Sequence, residues 1–252
     1  MLPTASALDR AMRCPASVVL PVVQCEKPSA AAKRGTILHA WIEARMTGAE
    51  LPDVGRHKIV VDVDALAAKL AAYDVLRFEH AYSLDEQGRA ECLGRMARDY
   101  PRRDGVLYGT ADVDGENTLS GAGLVLDIKT GRNAVVAPAD NAQLRFLATA
   151  AAIARPHLTA MHGSIAYLNR DGSWRFVDCE WPIAWLREQH RIELDWWRAT
   201  WREAVELHAA GWPVEPSPSV EACRYCRCEC SAKINPYVRG ADAPPLTDAD
   251  AV

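Results

Sequence analysis

The spacing of apolar residues predicts a chain in which helices alternate with strands. In some segments apolar positions recur at intervals of three and four, and in others they alternate with polar positions or form short runs. We expect helices over residues 5–14, 30–46, 63–82, 140–154 and 183–210. We expect strands over residues 91–99, 107–114, 124–129, 163–168 and 174–179, the first three as an antiparallel meander and the last two as a hairpin.

Composition places the chain among ordinary globular proteins. Of its 252 residues, 49% are hydrophobic and 25% charged, and 29 basic against 33 acidic residues leave a net charge of −4. This balance excludes disordered and collagen-like classes and argues against a protein that coats nucleic acid through net charge alone. No apolar run reaches the ~18 to 20 residues of a membrane helix, and no secretory signal is visible, so we expect a cytoplasmic protein without a membrane partner.

Two carboxylates and a lysine are expected to meet where two predicted strands end. Asp127 and Lys129 are two residues apart on one strand and share a face, and a hairpin partner would bring Asp112 to the same patch. Carboxylates bind hard divalent cations, and a lysine beside them can orient water or neutralise a phosphate. The alternative is an ordinary exposed pair on an edge strand. Asp114 shares the face of Asp112, which leaves open which of the two binds a metal.

Two further polar side chains lie in segments that are otherwise apolar. His39 and Glu43 are one turn apart on a predicted helix and share its face, so they require partners, either each other or a metal and substrate. The alternative for His39 is a structural histidine with satisfied hydrogen bonds. Gln143, at the start of a later helix, could reach back to the strand of Asp127 and bind a phosphate or orient water.

Four separated motifs carry a resemblance to a known family. G-T-x-x-H-x-x-x-E, G-x-x-D, D-x-K-T-G and Q-L occur in this order between Gly35 and Leu144. In this order they resemble the RecB-like branch of the PD-(D/E)XK nuclease superfamily. The resemblance implies an α/β fold with a restriction-endonuclease-like core, in which helices flank a mixed central sheet. It also implies hydrolysis of DNA with Mg²⁺ or Mn²⁺, most simply by an exonuclease.

The same resemblance implies a role for each matching residue. Lys129 would assist the attacking water, Gln143 would be an auxiliary residue and Glu43 a weaker member of the site. The ligands of the catalytic metal would be His39, Asp112, Asp127 and the backbone carbonyl of Ile128.

Four cysteines crowd the eight residues from Cys223 to Cys230. A C-x2-C pair supplies two thiolates to a metal, and the other ligands come from nearby or from far along the chain. Cys14 resembles the early cysteine of the iron–sulfur subset of RecB-like nucleases, which includes AddB-type subunits and CRISPR-associated adaptation nucleases. That resemblance implies a 4Fe-4S cluster on Cys14, Cys223, Cys226 and Cys230, with Cys228 as an alternative ligand.

Other hypotheses for these cysteines are a zinc ion on the C-terminal group and a cysteine-rich tail without metal. We expect residues 1–240 to form one nuclease domain, in which residues 1–28 and 212–235 clasp the cluster, and residues 241–252 to form a flexible tail. Cys25, Cys92 and Cys179 are expected to be buried apolar residues.

The sequence leaves three classes of function open. The first is a DNA exonuclease of recombination, repair or phage DNA metabolism, with a recombination or single-strand annealing protein as a possible partner. The second is a non-catalytic DNA-binding scaffold of the same fold, and the third is a zinc-binding interaction protein. Arginines and tryptophans interleave over residues 183–210, as in a strand-binding groove, but acidic residues dilute the charge and packing on the core is favoured.

Overall fold

A mixed sheet of six strands, in the order β2-β1-β3-β4-β5-β6, forms the centre of the computed structural model. The structure describes residues 2–22, 30–55, 59–96, 99–101, 103–130, 136–223, 226 and 228–232. The strands are β1 (Val75–Leu84), β2 (Ala90–Arg95), β3 (Leu107–Asn117), β4 (Ala122–Lys129), β5 (Ala160–Leu168) and β6 (Trp174–Pro182). The helices are α1 (Leu8–Arg13), α2 (Ala30–Thr47), α3 (Val63–Leu70), α4 (Ala142–Ala154), α5 (Ile183–Trp185), α6 (Arg191–Ala209) and α7 (Val220–Cys223).

Helix α4 connects the two parallel strands of the sheet. β4 and β5 pair in parallel, which requires a crossover connection, whereas the other neighbouring strands are antiparallel. The Asn141 side chain caps this helix by accepting a hydrogen bond from the backbone N–H of Leu144 at 3.0 Å. Nine of its 13 residues are buried, which places α4 at the centre of the main apolar core, together with residues of α1 and α6. A second core, containing Ile42, Leu66 and Leu70, lies between α2, α3 and the sheet.

The expectation of a single helix over residues 63–82 is wrong. The helix α3 ends at Leu70, and after a turn the chain continues as β1, which pairs with both β2 and β3. The Asp74 side chain accepts the backbone N–H of Thr118 at 2.7 Å, and the Asn117 side chain donates to the carbonyl of Ala72, so the turn is fixed to the end of β3. Pairing between distant segments therefore overrides the helical spacing. The expected meander is corrected as well, because β1 lies between β2 and β3.

The segment 183–210 is helical throughout, with one π-helical turn at Leu186–His190 between α5 and α6. Trp201 is fully buried and its indole N–H donates to the carbonyl of Ala11 at 3.1 Å, whereas Trp196 is 60% exposed. Packing on the core, the favoured interpretation of these tryptophans, thus holds for Trp201 and not for Trp196. Among the described residues, none of the helices combines the length and apolar character that crossing a membrane requires.

The C-terminal cysteine segment closes onto the N-terminal segment, as expected. Val22 forms an isolated antiparallel bridge with Cys228, and the backbone N–H of Glu229 donates to the carbonyl of Pro21 at 2.8 Å. Cys92 is exposed on β2, which contradicts the expectation that it is buried. This strand is at the edge of the sheet and pairs with β1 alone among the described strands. Cys179 is half-buried, and Cys25 and residues 241–252 lie outside the described residues.

Candidate active site

The ladder between β3 and β4 ends beside the acidic residues of the site. Its last pair toward this end is Val113 with Leu126. Beyond it, Oδ2 of Asp112 accepts a hydrogen bond from the backbone N–H of Ile128 at 2.6 Å. The carboxylate thus satisfies a backbone donor that the neighbouring strand no longer pairs. The two strand ends separate here, and Asp112 and Asp127 lie at the split.

His39 of α2 and Glu79 of β1 face Asp112. The Nδ1 atom of His39 lies 3.4 Å from Oδ1 of Asp112 and 3.7 Å from Oε1 of Glu79. Its Nε2 atom lies 3.2 Å from the carbonyl oxygen of Ile128. One ligand atom from each of His39, Glu79 and Asp112 lies within 4.8 Å of the others. The structure therefore brings together three of the four expected metal ligands and adds Glu79.

Glu79 was missed by sequence reasoning because it falls in the segment expected to be a helix. In β1, Phe78 pairs with Val113 and His80 with Ala111, which places Glu79 opposite Asp112. Its φ of +48° is the one positive value among the non-glycine residues that the structure describes. A positive φ at a residue other than glycine is a strained backbone conformation, and residues of this kind are uncommon and concentrate at functional sites. No local spacing singles out Glu79, because its position depends on the pairing of β1 with β3.

Asp127, Lys129 and Gln143 form the other half of the site. The Nζ atom of Lys129 lies 2.7 Å from Oδ2 and 2.9 Å from Oδ1 of Asp127. The Nε2 atom of Gln143, in the first turn of α4, donates to Oδ1 of Asp127 at 3.4 Å. The fourth expected ligand, Asp127, is therefore turned toward Lys129 and Gln143. It would have to rotate to join the group around His39.

Burial and mutual charge control the protonation of these groups. Burial raises the pKa of Asp127 to about 6, although Lys129 acts to lower it. Burial also acts to raise the pKa of Asp112, but His39 and the N–H of Ile128 outweigh it and the pKa is lowered. At His39, burial acts to lower the pKa, and the carboxylates of Asp112 and Glu79 reverse this and raise it to about 10. A protonated imidazole thus stands between two carboxylates, where a bound cation would replace its proton.

The donor set fits a divalent cation. It combines one imidazole nitrogen with carboxylate oxygens, and the carbonyl of Ile128 lies beside it. Carboxylate and carbonyl oxygens suit Mg²⁺ and Mn²⁺, and an imidazole is compatible with Mn²⁺. Three of the donors come from α2, β1 and β3, so the site exists only in the folded chain.

Asp114 has a different role from Asp112. It is fully buried, with its carboxylate 3.0 Å from Nη1 of Arg77 and 2.6 Å from Nη2 of Arg155. The same two arginines hold Glu116, the next acidic residue on this face of β3. Asp114 is engaged in this ion-pair network, whereas Asp112 is the aspartate that faces His39. Glu43 also lies apart from the metal-binding group, with its carboxylate 2.8 Å from Arg95 of β2.

A cavity between the N-terminal segment and α7 is lined by the four cysteines expected to hold a cluster: Cys14, Cys223, Cys226 and Cys230. The backbone N–H of Ser217 points at Sγ of Cys14 over 3.4 Å, a contact that favours a thiolate ligand. The thiol of Cys228 instead donates to the carbonyl of Ser17 at 3.5 Å.

The N-terminal segment connects this cysteine cavity with the acidic site. Asp9 of α1 accepts a hydrogen bond from the backbone N–H of Ala142, the residue before Gln143. Burial raises the pKa of Asp9, although Arg13, Arg145 and Lys129 all act to lower it. The helix that leads to Cys14 is therefore fixed to the start of α4, next to the catalytic face.

A mixed sheet with side chains that could hold a divalent cation, and with a lysine where its strands separate, is typical of metal-dependent nucleases of the α/β class. The chain matches the family model of the PD-(D/E)XK nuclease superfamily over residues 4–231 and belongs to that superfamily. The match includes all the site residues described above. Comparison with curated proteins gives no match.

Proposed function

We propose that this protein is a deoxyribonuclease of the RecB-like branch that uses Mg²⁺ or Mn²⁺ and degrades DNA from an end. The observation that carries the proposal is the position of Lys129 and Asp127 beside the pair of His39 and Asp112, at the split of β3 and β4. Burying a charged carboxylate beside a lysine costs free energy, so the presence of this pair favours a catalytic protein over a non-catalytic copy of the fold.

The residues divide the chemistry between them. His39, Glu79, Asp112, Asp127 and the carbonyl of Ile128 would hold the metal, which when bound neutralises charge on the scissile phosphate. Lys129 would position the water for in-line attack, and Gln143, which contacts Asp127 before that carboxylate turns to the metal, would be an auxiliary residue. The water oxygen bonds to phosphorus and releases a proton to solvent, the bond from phosphorus to the leaving sugar oxygen breaks, and that oxygen takes up a proton from solvent.

A second part of the proposal concerns the cysteines. We infer that Cys14, Cys223, Cys226 and Cys230 bind a 4Fe-4S cluster that fastens the two ends of a single nuclease domain, residues 1–240. The cavity that the four cysteines line together supports a shared inorganic group at this place. The cluster would be structural, because it holds α1 against α4 and takes no part in hydrolysis. DNA recombination or phage DNA metabolism, with a strand-annealing partner, is the pathway that this combination favours.

Cleavage of end-labelled linear DNA, compared with closed circular DNA, tests the proposed activity. Wild type should degrade linear DNA with Mg²⁺ or Mn²⁺, leave circles intact and be inactive with EDTA. Lys129→Ala should lose cleavage by about a thousandfold and still bind DNA. Lys69→Ala is the matched control, because Lys69 forms an ion pair with Asp178 on the outer part of the sheet.

Three results would contradict parts of this proposal. Cleavage of circles would contradict the need for an end, and full activity of Lys129→Ala would contradict the assigned role of Lys129. No cleavage by metal-loaded wild type, with DNA binding intact, would favour the scaffold hypothesis.

A further inference from the structure

A cavity of about 160 Å³ lies beside Gln143, whose side chain also contacts Asp127. This is roughly ten times the space that one water molecule requires. Its lining includes Thr4, Ser6, Tyr100, Thr110 and Gln143. Hydroxyl and amide groups from distant parts of the chain thus converge on one space, and none of them has a role in the chemistry described above except Gln143.

Two of the lining residues connect the cavity to the catalytic carboxylates. Thr110 precedes Asp112 by two residues on β3, and the amide of Gln143 donates to Asp127 at 3.4 Å. A ligand in the cavity would therefore contact Gln143, whose amide also contacts a carboxylate of the candidate active site.

The N-terminal segment is a fixed wall of this cavity. A Cβ atom at Gly109 would lie 2.5 Å from Cβ of Ala5 and 2.9 Å from the ring of Phe146, so only glycine allows this segment to pack on β3. Asp9 fixes the same segment to the start of α4. The hydroxyls of Thr4 and Ser6 are therefore held in place.

The lining can donate several hydrogen bonds to one ligand. The Oγ1 atom of Thr4 lies 3.3 Å from Oγ of Ser6, and the Tyr100 hydroxyl lies 2.7 Å from Oγ1 of Thr110. A hydroxyl that accepts from its neighbour still has its own proton to donate, and the amide of Gln143, which gives one N–H to Asp127, has a second N–H. Ser, Thr, Tyr and Gln side chains are common ligands of phosphate oxygens in DNA complexes.

We propose that this cavity binds the phosphodiester next to the scissile phosphate on the cleaved DNA strand. The proposal rests on the nuclease function proposed above and deepens it, because it makes Thr4 and Ser6 part of the substrate site. Contact with the backbone fixes the register of the strand without reading its sequence. The scissile phosphate then meets the metal-binding group while its neighbour is held by hydroxyls.

Substrates with a single neutral methylphosphonate, placed in turn at each position around the cut, test this proposal. The variant Ser6→Ala/Thr110→Val should raise KM about tenfold with kcat little changed. The methylphosphonate at the neighbouring position should raise KM of wild type by a similar factor and add nothing further in the variant. Thr200→Ala, which removes a hydroxyl from α6, is the control and should behave as wild type.

The assignment of the cavity would be overturned if the methylphosphonate and the variant raised KM additively at every position, or if the variant left KM unchanged. Neither result would affect the nuclease proposal. If wild type cleaves no DNA, the nuclease proposal fails instead, and fluorescence anisotropy with a single-stranded oligonucleotide then decides the cavity. Weaker binding by the variant supports the site, and equal binding overturns it. Ser6 is exposed, so Ser6→Ala alone carries the test if Thr110→Val unfolds the protein.

Discussion

Asp112 accepts the backbone N–H of Ile128 at 2.6 Å, across the point where β3 and β4 stop pairing. One oxygen of this carboxylate thus takes the place of a backbone hydrogen bond between the two strands, and the other lies 3.4 Å from Nδ1 of His39. Because the hydrogen bond fixes the orientation of the carboxylate, the oxygen that would bind a metal is positioned before the metal arrives. The carbonyl of the same residue, Ile128, lies 3.2 Å from His39 and completes the arrangement.

Asp112→Asn and Asp114→Asn are expected to fail in different ways, although the two residues share a face of one strand. Asp112→Asn removes a metal ligand and should lower kcat by about a thousandfold with little loss of stability. Asp114→Asn leaves two arginines, Arg77 and Arg155, to share the single carboxylate of Glu116 and should lower the free energy of unfolding by roughly 3 kcal/mol. Urea unfolding and cleavage assays on both variants check this. A stable but inactive Asp114→Asn protein would contradict the assignment.

Glu79→Gln tests the residue that β1 adds to the site. We expect the Mn²⁺ concentration for half-maximal activity to rise about tenfold, with kcat largely recovered at saturating metal, since one charged ligand of several is lost. Isothermal titration of the protein with Mn²⁺ should show the same weakening in the absence of DNA. Glu91→Gln on the neighbouring strand is the control, because Glu91 is exposed and pairs with Arg103. Unchanged metal affinity in Glu79→Gln would remove it from the site.

Spacing and motif order in the sequence predicted several of the side chains that lie around the candidate site. Asp127 and Lys129 share a strand face by the period of two, and the order of the motifs placed His39 and Gln143 beside them. These predictions depend on short-range spacing or on a motif that spans the chain. Cys14 was also placed near the C-terminal cysteines by resemblance, and the structure brings these segments together.

The residues that sequence reasoning missed depend on pairing between distant strands. The helical spacing of Leu66, Leu70 and Tyr73 continues by chance into β1, so the strand and its Glu79 were hidden. Likewise, nothing local distinguishes Asp112 from Asp114. The difference arises because Arg155, 41 residues after Asp114, donates to the Asp114 carboxylate. A buried ion pair of this kind is visible only in the fold.

Cys14→Ser should remove the cluster and loosen the N-terminal wall of the active site. Anaerobically purified wild type should be brown and carry about four iron ions per chain, and the variant should carry far fewer. Because α1 links Cys14 to Asp9 at the start of α4, we also expect faster proteolysis of the N-terminal segment and weaker DNA binding. Cys92→Ser, at an exposed cysteine, is the control. Stoichiometric zinc in colourless wild type would contradict the cluster.

His190 makes stability fall in mild acid. Its side chain is buried beside Trp185, and its Nδ1 lies 2.7 Å from the hydroxyl of Thr149. Burial, with a smaller contribution from Arg145, lowers the pKa of His190 from 6.5 to about 3. Between these values the unfolded chain binds a proton that the folded chain excludes. The contribution of His190 is therefore fully present above pH 6.5 and is lost as the pH falls toward 3.

At pH 5 the expected loss from His190 is about 2 kcal/mol relative to pH 7.5, since each pH unit below 6.5 costs about 1.4 kcal/mol. Asp127, whose pKa is raised to about 6, acts in the opposite direction over part of this range. The test therefore compares the pH dependence of the free energy of unfolding between wild type and a His190 variant. Urea unfolding at pH 7.5, 6 and 5 should show a flatter pH dependence for His190→Asn than for wild type. His208→Asn, at an exposed position on the same helix, should follow wild type, and parallel pH profiles for all three proteins would show that His190 is not the group responsible.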